Sequence, residues 1–110
     1  MPVETKQMDA GVALVVVSGR LVLGKEVEAL ETAVNKLIPS NPRVIILDAT
    51  ALDYADSAGI GTLVACVTSI RKAGGEMRMA GASTRIQRLL QITGVDSLVS
   101  LYPTVAAATA

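Results

Sequence analysis

Histidine, phenylalanine and tryptophan are all absent from this chain, two tyrosines supply its only rings, and Cys66 is its only thiol. Without histidine, the commonest general base and the usual partner of a serine or cysteine nucleophile are missing. A lone cysteine closes no intramolecular disulfide and makes no thiolate zinc site. A surplus of charge is missing too, because ten basic residues balance ten acidic ones. That balance removes the electrostatic footprint that draws a protein to a phosphate backbone or an anionic bilayer, so neither nucleic acid nor membrane is an expected partner. Nor is there a long apolar run. The longest aliphatic stretch, Val12 to Val17, falls far short of the roughly 20 residues that span a bilayer. Glu4 and Asp9 interrupt the beginning, where a signal peptide would carry its apolar segment. The expectation is a soluble cytoplasmic protein with no metal and no cofactor, and not an enzyme, since no acid and base pair, activated nucleophile or metal set is legible.

Apolar residues nonetheless make up 51% of the chain. The core must therefore be built from Val, Ile, Leu, Ala and Met, and 110 residues suit a single domain, residues 1–110. Strand and helix patterns alternate with short breaks, the mark of an α/β fold. A weak strand over Val3 to Met8 and a β-branched strand over Val12 to Ser18 flank the turn Asp9-Ala10-Gly11 and predict an opening hairpin. Val27, Leu30, Val34, Leu37 and Ile38 recur at helical spacing until Pro39, which cannot continue the hydrogen-bond ladder. Val44 to Leu47 reads as a buried strand. Ile60, Leu63, Val64, Val67 and Ile70 mark a second helix that contains Cys66, assigned to packing, and that ends at Lys72-Ala73-Gly74-Gly75. Glu76 to Ala80 alternates as a half-buried strand with Met77 and Met79 inward. Ser83 and Thr84 cap a short helix facing inward through Ile86, Leu89 and Leu90, and Gly94 ends it before a strand near Leu98 to Leu101. The alanine-rich tail after Pro103 is left open between a terminal helix and a frayed end.

The segment Asp56-Ser57-Ala58-Gly59-Ile60-Gly61 lies on the turn into the second helix. There the first backbone N–H groups have no intrahelical acceptor and the dipole favours an anion, so a phosphate on Ser57 is locally tolerated. Either Asp56 or Ser57 also serves as an ordinary N-cap. Asp56 can cap, orient the Ser57 hydroxyl or contact a partner. Gly59 and Gly61 each cost about 1 kcal/mol relative to Ala in a helix, which points to a close backbone approach by a partner or by a neighbouring strand. Tyr54, just before the turn, is either an exposed interface ring or a rim residue of the core.

Val44 to Leu63, with this hexapeptide at its centre, resembles the anti-sigma factor antagonists of the STAS domain family. So do Val16-Val17-Ser18-Gly19-Arg20-Leu21, Gly74-Gly75-Glu76-Met77, and Leu89 to Leu101 with Thr93-Gly94-Val95 inside it. The resemblance implies a STAS fold, a small mixed sheet of four to five strands covered largely on one face by helices. It also implies partner switching. The unmodified protein binds an ATP-using serine kinase that doubles as an anti-sigma factor and so frees the sigma factor. Phosphorylation at Ser57 abolishes that binding, and a separate serine phosphatase resets the switch. By the same resemblance Tyr54, Asp56, Ser57, Ala58, Gly59, Ile60 and Gly61, with Leu23 and Gly24, form the partner-binding switch surface. A weak homodimer is compatible with the pattern. The chain departs from the family where Val22 follows Gly-x-Leu in place of an acidic or polar residue, and where Ala58 stands for a second hydroxyl. Two other employments of the same fold compete: a stand-alone accessory subunit docking on the ATPase of a lipid-transport system, and a scaffold component of a stress-signalling complex.

Overall fold

A computed structural model describes residues 3–9 and 11–109. The elements, in order, are β1 (Val3–Asp9), β2 (Val12–Val17), β3 (Gly19–Leu21), α1 (Lys25–Leu37), β4 (Val44–Asp48), β5 (Leu52–Ala55), α2 (Ser57–Lys72), β6 (Glu76–Ala80), α3 (Thr84–Thr93), β7 (Ser100–Tyr102) and α4 (Val105–Thr109). Short 3-10 turns follow α1 over Ile38–Ser40 and α3 over Val95–Ser97. Five strands form one mixed sheet in the order β1-β2-β4-β6-β7, antiparallel at β1·β2 and parallel elsewhere. The expected opening hairpin is present; its turn residue Ala10 lies outside the described residues.

Why the sheet divides its residues as it does follows from the period of two. Ala13, Val15, Val17, Ile45, Leu47, Met77 and Met79 point to one face and meet Leu30 and Val34 of α1, Leu63, Cys66, Val67 and Ile70 of α2, and Ile86 and Leu90 of α3. The alternate residues Val12, Leu14, Val44, Ile46 and Ala80 form a second, smaller apolar layer, closed by Ala108 of α4 together with Val105 and Tyr102. The central strands thus read as unbroken hydrophobic runs because both of their faces are covered. Arg78 fastens α4 down: its guanidinium donates to the Ala108 carbonyl at 2.7 Å and lies 5.6 Å from the Tyr102 ring centroid. Cys66 is buried as expected, and desolvation, with the Glu31 carboxylate adding, pushes its thiol up to about 11.

Three expectations need correction. The strand read as Val12 to Ser18 stops at Val17, and the chain then turns at Gly19 into β3, which pairs with β5 in a separate two-stranded sheet. β5 itself was not legible, because its burial pattern, buried only at Leu52 and Ala55, follows neither period. The last strand runs Ser100–Tyr102, not Leu98 to Leu101, since Val95–Ser97 forms a 3-10 turn whose hydrogen bond from Leu98 N to Val95 O delays the strand.

Candidate functional site

The small β3·β5 sheet aims the segment that the hexapeptide belongs to. β5 is set by a side-chain turn in which Asp48 Oδ1 accepts from Thr50 N at 3.0 Å and from Thr50 Oγ1 at 2.6 Å. Gly19 N then donates to Ala51 O at 2.9 Å, and Arg20 and Leu21 pair with Tyr54 and Ala55. The chain leaves this ribbon directly into α2.

Asp56 is the N-cap of α2, extended in backbone and with Oδ1 accepting from Gly59 N at 2.8 Å. Its other oxygen accepts from Leu23 N at 3.1 Å, across 33 residues of sequence. One carboxylate therefore joins the helix start to the Leu23-Gly24 loop. The N–H of Gly59 first, and that of Leu23 second, hold this carboxyl below the usual carboxylate range. Of the three roles open to Asp56 in the sequence, capping is realised, and a loop tether is added to it. Ser57 is not the cap. It is the first residue of α2, exposed, and among the described residues its hydroxyl makes no hydrogen bond.

Of the residues expected around Ser57, Leu23, Tyr54 and Gly61 are exposed, while Ala58, Gly59 and Ile60 are half-buried or buried. Leu23 is 77% exposed and Tyr54 40% exposed, so the tyrosine is a surface ring. Gly24, the residue before α1, has φ +122°, a backbone conformation that side chains rarely adopt. The two helix glycines separate. A Cβ on Gly59 would overlap the Leu21 carbonyl oxygen, so this glycine is required by close packing on β3. Gly61 is exposed, and among the described residues nothing lies near its missing Cβ and no element requires a glycine there. Ala58 and Ile60 are half-buried and pack against the core beneath the turn.

Arg20 joins this group without having been singled out as a site residue. Its guanidinium lies 4.9 Å from the Tyr54 ring centroid, in the range of a cation–π contact. The pairing depends on the β3·β5 register, which no periodicity announces. Elsewhere, Ser83 caps α3 by accepting from Ile86 N at 3.2 Å, while Thr84 is the first residue of that helix. Among the described residues no three His, Cys, Asp or Glu side chains converge as a metal site, and no helix is long and apolar enough to cross a membrane.

A family model described as the STAS domain matches residues 4–108. The anti-sigma-B factor antagonist of Listeria monocytogenes is 34% identical over 58 residues, covering 53% of this chain and 51% of that protein. The anti-sigma-B factor antagonist of Staphylococcus aureus is 30% identical over 73 residues, covering 66% of this chain and 68% of that protein. The chain thus spans about half the length of the first of these curated relatives. The crystal structure of an anti-sigma factor antagonist from Mycobacterium paratuberculosis superposes with a TM-score of 0.81 at 27% identity, covering 97% of this chain and 89% of that one.

Proposed function

This chain belongs to the STAS domain family, and from that premise we propose that it is an anti-sigma factor antagonist that switches partners through phosphorylation of Ser57. The unmodified protein binds an ATP-using serine kinase that is also the anti-sigma factor, and the sigma factor is released. The kinase then transfers phosphate to Ser57 and loses its grip, and a serine phosphatase restores the hydroxyl. Nucleotide, metal and catalytic base come from the kinase.

The observation that carries this reading is the division of labour between Asp56 and Ser57. A capping serine would have its hydroxyl engaged with the first backbone N–H groups of the helix. Here the cap is Asp56, and the neighbouring hydroxyl is exposed and, among the described residues, makes no hydrogen bond. Phosphate therefore adds roughly −1.5 to −2 charge at a position the fold does not use. The helix dipole offsets part of the repulsion from Asp56 inside the domain. At an interface the same dianion must be desolvated or excluded. A penalty of about 3 kcal/mol there weakens binding by roughly two decades.

Affinity for the cognate kinase, measured by calorimetry, tests the proposal. Ser57→Ala should bind as wild type does and resist release by ATP, while Ser57→Asp should bind at least tenfold more weakly. Equal affinities for all three proteins, with binding insensitive to ATP, would overturn it and favour a docking subunit of constant affinity.

A further inference from the structure

The sheet ends at β1, whose only strand neighbour among the described residues is β2. Alternate N–H and C=O groups along the outer edge of β1 therefore have no strand partner, over a stretch limited at its far end by the irregularity between Gln7 and Asp9. Beside this edge runs a groove of about 470 Å³ between β1 and α1, lined by Val3 and Thr5 below and by Glu28, Ala29, Ala33 and Lys36 among others above. Its walls are mostly apolar, and none of Leu23, Tyr54 or Ser57 lines it.

We propose that the outer edge of β1 and the adjoining flank of α1 form a two-fold interface between two copies of this chain. A two-fold axis normal to the sheet pairs β1 with itself antiparallel and keeps each side chain on its own face, which leaves few registers. Centring on Glu4 or on Lys6 opposes like charges across the axis. Centring on Thr5 sets Glu4 of each copy opposite Lys6 of the other, two opposite-charge pairs on one face, with Thr5 against Thr5 and Val3 against Gln7 on the other. A lysine on an edge strand ordinarily discourages strand addition. In this register it is the element that selects it.

The helices fit the same axis. α1 packs over β1 and β2. A strand spacing of about 4.8 Å across the new junction puts the two α1 axes about 10 Å apart, the separation at which helices with small side chains pack. The facing flank carries Ala29 and Ala33, small enough for that approach, and Glu28 and Lys36 lie symmetrically about Thr32, so an antiparallel helix pair about Thr32 again places opposite charges together. Strand bonds, charge pairs and the apolar groove are satisfied by one operation, and the switch surface is left uncovered.

Charge exchange tests the register. Sedimentation over a range of concentrations should show the mass of the wild-type chain rising from 11.4 kDa toward twice that value. Lys6→Glu and Glu4→Lys should each weaken the dimer by about fivefold or more, with unchanged circular dichroism, and the double exchange Glu4→Lys with Lys6→Glu should restore it. A chain that stays monomeric at millimolar concentration overturns the proposal. So does a dimer that is indifferent to both single exchanges, or that is not restored by the double one.

Discussion

At the scale of single residues, the site depends on two neighbours that do different things. Asp56 holds the helix start and the Leu23-Gly24 loop with one carboxylate, while the Ser57 hydroxyl makes no hydrogen bond among the described residues. The carboxyl of Asp56 titrates below the usual range in the folded chain, so its contribution to stability is fully present above the unfolded pKa of about 4 and is lost as the pH falls through the lower folded value. Asp56→Asn should therefore melt below wild type at pH 7, and the gap should narrow steadily below pH 4. Thermal unfolding followed across that range checks it; a gap independent of pH would mean that the charge of Asp56 is irrelevant. The glycines give a second pair. Gly59→Ala forces Cβ into the Leu21 carbonyl and should cost about 2 to 3 kcal/mol in denaturant unfolding. Gly61→Ala, in open space on the same helix, should gain about 0.5 to 1 kcal/mol. If the proposed kinase partner approaches the backbone at Gly61, the stabilised variant binds it more weakly, and calorimetry separates the two effects.

At the scale of elements, what was legible in the sequence follows burial. β2, β4, α1, α2 and α3 each carry a continuous or periodic apolar set, because each buries a face in the main core. Their boundaries were legible as well wherever a cap or breaker stands, as at Asp56, Ser83 and Gly94. β3 and β5 were not. Among the described residues they pair only with one another, three residues against four, and are fixed by the local Asp48 turn and by the Gly19 to Ala51 hydrogen bond, a long-range contact. The site shows the same division. Asp56, Ser57, Gly59 and Gly61 stand together in the chain and were found together, whereas Arg20 meets Tyr54 only through the β3·β5 register. The link from Asp56 to Leu23 gives a physical reason for two distant segments to act as one surface. α4 is the least autonomous element, five residues long and held by Arg78 and by burial of Ala108. A chain ending at Pro103 should lose about 2 kcal/mol or more and bind a hydrophobic dye through the uncovered Val12, Leu14, Val44 and Ile46. Unchanged unfolding and no dye binding would mean that this layer is closed without α4.

At the scale of the whole molecule, the two proposed surfaces lie apart. The proposed switch surface stands where the β3·β5 ribbon feeds α2, and the groove beside β1 lies along the open edge of the sheet. A core made mainly from aliphatic side chains with Met77, Met79 and Cys66, covered on both faces of the sheet, lies beneath the exposed Ser57 hydroxyl, so the proposed change of charge there would leave the packing undisturbed. On the proposed reading the chain supplies the acceptor and the surface around it, and its partners supply the chemistry. That claim is tested most directly by incubating the protein with its cognate kinase and ATP, then locating phosphate by mass spectrometry while following the complex by size exclusion. One phosphate on Ser57 and dissociation in step with its appearance are expected. A complex that persists with ATP while Ser57 stays unmodified would contradict the claim.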